Sequence, residues 1–324
     1  MAAWLFRRLL QAAATFLAVA AILFVLMRAA PGDPLGRLTE DRPMSQVEQQ
    51  RLKNLFGLDQ PIGTQFRRFA TAAVRGDFGV SIEYYPTRVN TLIGSRLPAS
   101  LLLGMAVLVV NLGLGIWLGV LQARRRGSAV DRWLTRLSLA GYAMPSFWLA
   151  LVLVALFAIK WRLLPAAQMT DPLLSANAGW LLRARDLLSH LVLPVVTLST
   201  VTVAATMRYQ RTAMLEVLRL DYVRAAKARG LGESRVIWRH AWRNALFPVL
   251  TLIGLMLPML VSGSVFVESV FAWPGLGSLA AGAIMTRDYP VLMATALLVS
   301  AVVLASGVIT DIAYYTLDPR TRNQ

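Results

Sequence analysis

Long uncharged, apolar runs alternate with short basic segments along most of the chain. Six of these runs have about 20 residues, which is the length that an α-helix needs to cross the hydrocarbon core of a membrane. Apolar runs of this length are rare as core helices of soluble domains. The pattern therefore predicts six transmembrane helices, at residues 9–27, 97–121, 137–159, 187–207, 246–267 and 289–310.

The composition also indicates that the bilayer is the solvent of this chain. Its residues are 56% hydrophobic and 15% charged, with a mean hydropathy of +0.56, whereas a soluble domain has about 25% charged residues. The formal net charge is +16. In a membrane protein such charge faces anionic lipid head groups, so we expect membrane lipid and not nucleic acid as its partner. The lack of Cys excludes disulfides, Cys-based zinc sites and a Cys nucleophile.

Lys and Arg are distributed unequally between the short loops on the two sides of the predicted helices. One set of loops and termini carries 18 Lys and Arg, and the other set carries five. Short loops rich in Lys and Arg stay in the cytoplasm, and an even number of spans places both ends of the chain on one side. We therefore expect both termini and residues 208–245 in the cytoplasm, and the long loop of residues 29–96 outside.

The first apolar run is predicted to be a retained membrane anchor and not a cleaved signal peptide. It is long for the apolar part of a signal peptide, and Arg28 follows it without a clear Ala-x-Ala site. The predicted organisation is then an N-terminal end with the first span, residues 1–28, and an outer loop, residues 29–96. Residues 97–317 hold five further spans, and residues 318–324 form a cytoplasmic tail.

A small helical cap is predicted within the outer loop. The loop is nearly neutral, with nine Lys and Arg against seven Asp and Glu. Ser45 and Glu48 fit a capping box, which opens a helix that ends before Gly57. The turn sequences PGDP, before this helix, and GDFG, after a second helix at residues 62–75, bound the cap. The pattern leaves open whether the cap only covers the outer mouth or docks an external partner.

The basic inside loop contains the sequence DYVRAAKARGLGESRVIWRHAWRNALFPVL, which begins at Asp221. Asp221 is predicted as the N-cap of a short helix that is rich in Ala, at positions 225, 226 and 228. Gly230 follows where a left-handed residue would close that helix. The helix would therefore present a face of small residues that another protein can approach closely.

A second short helix is predicted after Gly232. Arg235, Arg239 and Arg243 recur every four residues and form one stripe. The opposite face is predicted to contain Trp238, Ala241, Trp242 and Ala245, a set that suits the head-group interface. The residues alone favour an elbow lying on the membrane over a docking site for another protein.

Several kinds of chemistry are missing from the sequence. No Gly precedes a Lys, so the phosphate-binding loop of ATPases is excluded. His190 and His240 stand alone, and the charge-free span interiors hold no proton-relay residue. We therefore expect no cofactor, no metal site and no catalysis, and the sequence argues against proton-driven transport. Gly115 and Gly119 form a small-xxx-small pair, which is typical of close helix packing.

The inside loop resembles the EAA loop of ABC importer permeases, in which Glu-Ala-Ala is followed by three residues and Gly. Arg224, Ala225, Ala226 and Gly230 occupy those places here. Arg in place of Glu, and the longer distance from Gly230 to Pro248, are typical of the dipeptide/oligopeptide/nickel branch. Five further motifs look like this branch and extend the resemblance over the whole chain: PGDP, GDFGVS, RLPASLLLG, FVESVFAWPGLG and DIAYYTLDPR. The long outer loop is similar to that of the B-type permease subunit of dipeptide and oligopeptide systems.

The resemblance implies an all-α type I ABC importer permease with six transmembrane helices, in a bacterial inner membrane. Its expected partners are a homologous second permease subunit, two ATP-binding cassette ATPases and an extracytoplasmic substrate-binding protein. The segment 221–230 would be the coupling helix that sits in a groove of one ATPase. The residues expected to serve ATPase coupling are Asp221, Tyr222, Arg224, Ala225, Ala226, Lys227, Gly230, Arg235 and Arg239.

The expected substrates are di- and oligopeptides. A nickel or glutathione permease of the same branch is an alternative, because nothing in the predicted spans decides between these substrates. An autonomous secondary transporter, which would work without an ATPase, is an alternative from a different class. An intramembrane enzyme is disfavoured, because the sequence lacks a nucleophile–base set and a metal cluster.

Overall fold

Helices account for the regular structure in the part of the chain that the computed structural model describes, with one isolated bridge between Val80 and Arg88. The described residues are 2–29, 45–57, 59–175, 177–246, 249, 252, 254, 256–259 and 264–317. The prediction of an all-α membrane protein is confirmed. The helices are α1 (Ala2–Ala29), α2 (Gln46–Phe56), α3 (Ile62–Arg75), α4 (Val89–Arg124), α5 (Ala129–Ala143), α6 (Ser146–Lys160), α7 (Trp180–Val217), α8 (Asp221–Ala228), α9 (residues 233–245), α10 (Val265–Val270), α11 (Leu276–Thr286) and α12 (Tyr289–Leu317).

Four of the predicted spans lie within helices that are long and apolar enough to cross a membrane. These segments are Trp4–Ala29, Val89–Arg124, Trp180–Val217 and Tyr289–Ile312. The predicted span at residues 246–267 is described only in separate pieces, so its course is not established. The total of six spans therefore stays a prediction.

The predicted span at residues 137–159 is not one continuous helix, and that prediction is corrected. Helices α5 and α6 meet at an angle of 102° around Met144 and Pro145. Met144 has an extended backbone, with φ −80° and ψ 124°. The proline ring disfavours the helical region for the residue before it, and Met144 takes an extended conformation, so the apolar run bends here although its hydropathy is continuous.

The chain divides into two compact units, of which the first comprises Met1–Ser100 and Gly275–Gln324. In this unit α1 packs against α12, and Arg8 near the start of α1 pairs with Asp311 near the end of α12 at 2.5 Å. The first and last helices therefore have these ends on the same side, as an even number of spans requires. Phe24 of α1 contacts Phe66 and Phe69 of α3, with ring centroids 5.3 and 5.8 Å apart.

The two helices predicted for the outer cap are confirmed as α2 and α3. The Ser45 hydroxyl accepts a hydrogen bond from the backbone N–H of Glu48 at 3.3 Å, which is the N-cap half of the predicted capping box. Gly57 and Gly76 follow the two helices, as the sequence indicates. The PGDP turn lies outside the described residues.

A buried carboxylate holds the GDFGVS segment against the start of α12. Asp288 accepts hydrogen bonds from the Ser81 hydroxyl and, at 3.2 Å, from the backbone N–H of Glu83. The Ser81 hydroxyl in turn accepts from the backbone N–H of Tyr84 at 2.9 Å. The first unit thus fixes this outer loop by side-chain contacts, because regular strand pairing is limited there to one bridge.

The second unit, Leu101–Pro274, is organised around α7, which packs against α4, α5 and α6. Two glycines of α4 permit α7 to pack closely against it. A Cβ at Gly119 would lie 2.6 Å from Cβ of Gln210, and one at Gly115 would lie 2.9 Å from Cβ of Thr206. The predicted small-xxx-small packing is confirmed. The 38 residues of α7 span about 57 Å, roughly twice the thickness of the hydrocarbon core. Its end therefore extends beyond the membrane and carries the basic loop.

Candidate functional site

The basic loop consists of two short helices, α8 and α9, as predicted. Gly230 closes α8 with φ +76°, in the left-handed region. Its N–H donates to the carbonyl of Lys227 at 2.9 Å, and the N–H of Leu231 donates to that of Ala226 at 3.4 Å. These two bonds form a Schellman motif, which satisfies the last carbonyls of the helix and fixes the direction in which the chain leaves it.

The predicted N-cap of α8 is wrong by one residue. Leu220 occupies the cap position with an extended backbone and no side-chain hydrogen bond, and Asp221 is the first helical residue. There its carboxylate still favours the positive end of the helix dipole. Asp221 also pairs with Arg224 at 2.7 Å, but both side chains are exposed, so the pair adds little stability.

The loop has a small core of its own, formed by Val223, Ala226 and Val236. Ala226 is 1% exposed. The prediction that Ala226 lies on an accessible face of small residues is therefore wrong, because positions three apart on α8 both turn inward. Ala225 and Ala228 are exposed and form the small-residue part of the outer face.

The outer face of α8 is basic. Arg224, Lys227 and Arg229 are exposed on it, beside Ala225 and Ala228. Positive side chains around a small-residue surface suit a partner that brings carboxylates and approaches the helix backbone closely.

Tyr222 connects α8 to α9. Its hydroxyl accepts a hydrogen bond from the Asn244 amide at 2.6 Å and donates to the carbonyl of His240 at 3.3 Å. Tyr222 was expected to serve ATPase coupling, and its hydroxyl group instead joins the two helices of the loop.

Helix α9 packs its apolar face on the ends of α4 and α7. Ile237, Ala241 and Ala245 are buried in a cluster that includes Val120 and Met214. Arg235, Arg239 and Arg243 of the predicted stripe are all exposed.

Trp238 is the exception on α9, since it is 43% exposed and does not share the buried face of Ala241 and Ala245. Trp238 lies in a π-helical segment, Val236–Ala241, whose i→i+5 hydrogen bonds break the 3.6-residue periodicity from which a shared face was predicted. Its ring contacts Trp242 edge to face, with centroids 5.6 Å apart.

Two ion pairs lie beside the loop. Arg124 at the end of α4 contacts both carboxylate oxygens of Glu233 on α9, at 3.0 and 3.4 Å. Arg211 of α7 binds both carboxylate oxygens of Asp131 on α5, at 2.9 and 3.0 Å. Sequence reasoning missed Asp131 and Arg211, because 80 positions separate them and neither belongs to a local motif.

The arrangement can bind a protein but does not resemble a catalytic centre. Within the described ranges, no group of three or more His, Asp and Glu is placed to hold a metal ion. The loop instead offers a basic helix face at the end of a helix that is long enough to cross the membrane.

Comparisons with known proteins give a consistent result along the chain. Residues 112–323 match the family described as "Binding-protein-dependent transport system inner membrane component", and residues 1–87 match the family that describes its N-terminal part. The chain is 39% identical over 320 residues to the oligopeptide transport system permease protein AppB of Bacillus subtilis, covering 99% of both chains. It is 36% identical over 339 residues to the di/tripeptide transport system permease protein DppB of Pseudomonas aeruginosa, and 33% identical over 339 residues to the dipeptide transport system permease protein DppB of Escherichia coli. Both DppB comparisons cover 100% of each chain.

Proposed function

The chain belongs to the family of inner-membrane components of binding-protein-dependent transport systems, and from this premise we propose that it is a permease subunit of an ATP-driven importer of short peptides. Membership makes it a multi-pass membrane subunit without catalytic activity of its own. The related proteins are named for oligopeptide, di/tripeptide and dipeptide transport, which supports peptides as the substrate class here.

The observation that carries the proposed coupling to an ATPase is the construction of the basic loop. Helix α8 is held by its own core and by the Schellman turn at Gly230, while Ala225 and Ala228 remain exposed on its outer face. An elbow that only rests on lipid head groups needs an apolar face, but the bulky aliphatic side chain of α8, Val223, is buried in the loop core, and the exposed Ala225 and Ala228 are small and lie among basic side chains. The outer face of α8 therefore fits a protein groove better than a lipid surface.

The proposed assembly contains this chain, a homologous second permease, two ATPases and an extracytoplasmic substrate-binding protein. The two permeases form the path through the membrane, and the ATPases supply the free energy. Asp221, Arg224, Ala225, Lys227 and Gly230 would meet the ATPase on α8. Arg235 and Arg239 would extend the contact along α9, and Ala226 and Tyr222 would support it from within the loop.

Reconstitution of this assembly in proteoliposomes tests the proposal. We expect peptide-loaded binding protein to stimulate ATP hydrolysis and peptide uptake, and the purified chain alone to hydrolyse no ATP, because it has no Gly-Lys phosphate loop. Uptake driven by an ion gradient without the ATPases would instead indicate a secondary transporter. Stimulation by Ni²⁺ or glutathione, and not by peptides, would overturn the proposed substrate class.

Labelling with a membrane-impermeant thiol reagent tests the proposed orientation, since the chain has no Cys of its own. Cys introduced at Ser45 or Asn177 should react from outside in intact cells, and Cys at Ser234 only after the membrane is opened. All three positions are exposed in the structure. The expectation rests on the excess of Lys and Arg on the inner side. The reverse pattern of accessibility would contradict it.

A further inference from the structure

Asp131 and Arg211 join two helices close to the basic loop. Asp131 lies in the first turn of α5, and Arg211 lies on the part of α7 that leads into the loop. The guanidinium donates two parallel hydrogen bonds, from Nε to Oδ1 at 2.9 Å and from Nη2 to Oδ2 at 3.0 Å. A two-point contact of this kind fixes the relative rotation of the helices as well as their distance.

The same carboxylate also holds the turn between α4 and α5. The backbone N–H of Gly127 donates to Oδ2 of Asp131 at 3.0 Å, and the Gln122 amide of α4 donates to the backbone carbonyl of Asp131 at 3.3 Å. Asp131 is 4% exposed. A buried carboxylate that loses its arginine is left as an uncompensated charge, so removal of the Arg211 guanidinium is expected to disturb the packing around Asp131.

The position of the loop depends on the helices that this carboxylate connects. The core of the loop packs on Val217 and Leu218 at the end of α7, and α9 packs on Val120 and Ala123 of α4. Arg211 lies seven residues before Leu218, which corresponds to about 10 Å along a helix. A change in how α5 holds Arg211 would therefore tilt the outer face of α8.

We infer that Asp131 is a positioning residue for ATPase coupling, which acts through Arg211 to hold the end of α7 and thereby aim the loop at its ATPase. The inference rests on the proposed function, because the orientation of the loop matters for transport only if the loop binds an ATPase. Asp131 contacts Arg211, Gly127 and Gln122 within this chain, and its expected effect is on the efficiency with which hydrolysis drives uptake.

The test compares the number of ATP molecules hydrolysed per peptide imported by the reconstituted assembly. Asp131→Asn keeps the shape of the side chain and an acceptor for the Gly127 N–H, but removes the charge that Arg211 binds. We expect this ratio to rise at least about threefold, the scale for positions that carry coupling between sites. Arg211→Lys keeps the charge, loses the two-point geometry, and should give a smaller rise.

Gln210→Met is the matched control at the adjacent position of α7. Gln210 is buried, and neither polar atom of its amide has a hydrogen-bond partner within the described structure. The substitution therefore changes a buried side chain of the same helical turn without removing a hydrogen bond, and the ratio should remain that of the wild type.

The outcomes separate this inference from the proposed function. If the wild-type assembly shows no peptide-stimulated hydrolysis, the proposed function fails and the inference falls with it. If the wild type couples but Asp131→Asn keeps its ratio, or if uptake and hydrolysis fall in parallel with the amount of assembled complex, Asp131 is only structural. If the Asp131→Asn protein does not accumulate in the membrane, Arg211→Lys decides the test. A wild-type ratio of ATP hydrolysed per peptide imported in that variant would also overturn the inference.

Discussion

Gly230→Val is expected to reduce peptide uptake by the reconstituted assembly at least about fivefold while ATP hydrolysis continues and the permease stays in the membrane. At φ +76° a β-branched residue is strained by about 1–3 kcal/mol. Apart from Gly230 and its two chain neighbours, no atom lies within 4 Å of the position that a Cβ would occupy, so the effect comes from the backbone and not from a clash. The strain is relieved by turning the chain after α8, which changes the direction of the helix relative to its ATPase.

Two glycines provide matched controls for this variant. Gly232→Val adds the same side chain to the same loop, but Gly232 has φ −57° and open space around its Cβ, so uptake should stay near that of the wild type. Gly76→Val introduces a similar strain at φ +68° at the end of α3, outside the basic loop and the helices that support it. It tests whether backbone strain elsewhere in the chain is enough to reduce uptake. Normal uptake by Gly230→Val, or an equal loss in Gly232→Val, would contradict the proposed role of the turn.

Much of the fold could be predicted because local sequence determines it. Four spans follow from the length and hydropathy of their runs, and α2 and α3 end at the glycines that the sequence shows. The closing turn at Gly230 likewise follows from helix-ending chemistry within a few residues. Pro145 indicates the bend between α5 and α6, but the prediction of a single span followed the continuous hydropathy of the run.

The remaining features of the site depend on contacts between distant parts of the chain. Composition identified Ala226 as small, but only the packing of α8 on Val236 shows that it faces inward. Trp238 lies in a π-helical segment, and helical periodicity alone assumes a regular helix. The pair of Asp131 and Arg211 joins residues 80 positions apart. Rules based on helical or turn spacing relate residues only a few positions apart, so they cannot predict such a pair.

The inward position of Ala226 gives two neighbouring alanines opposite roles. Ala225→Trp adds bulk to the exposed outer face of α8, where it would obstruct close approach by an ATPase without disturbing the loop core. Ala226→Trp inserts the same bulk into the core beside Val223 and Val236, where overpacking costs about 1–3 kcal/mol or more. The first change tests docking, and the second tests the stability of the loop.

We expect Ala225→Trp to lower both the amount of ATPase that co-purifies with the permease and the peptide uptake, by about tenfold, with a normal amount of permease in the membrane. A tenfold loss corresponds to about 1.4 kcal/mol of binding free energy, a modest effect for an obstructed interface. Ala226→Trp should instead reduce the amount of folded permease, measured as protein that resists protease in membranes.

Ala129→Trp is the control for the effect of an exposed tryptophan on this side of the protein. Ala129 is the exposed first residue of α5 and lies outside the basic loop, so its replacement should leave co-purification and uptake unchanged. If Ala225→Trp also leaves both unchanged, α8 does not enter a protein groove. The loop would then be an elbow on the membrane surface, because lipid head groups tolerate an added tryptophan at an interface and a close-fitting protein groove does not.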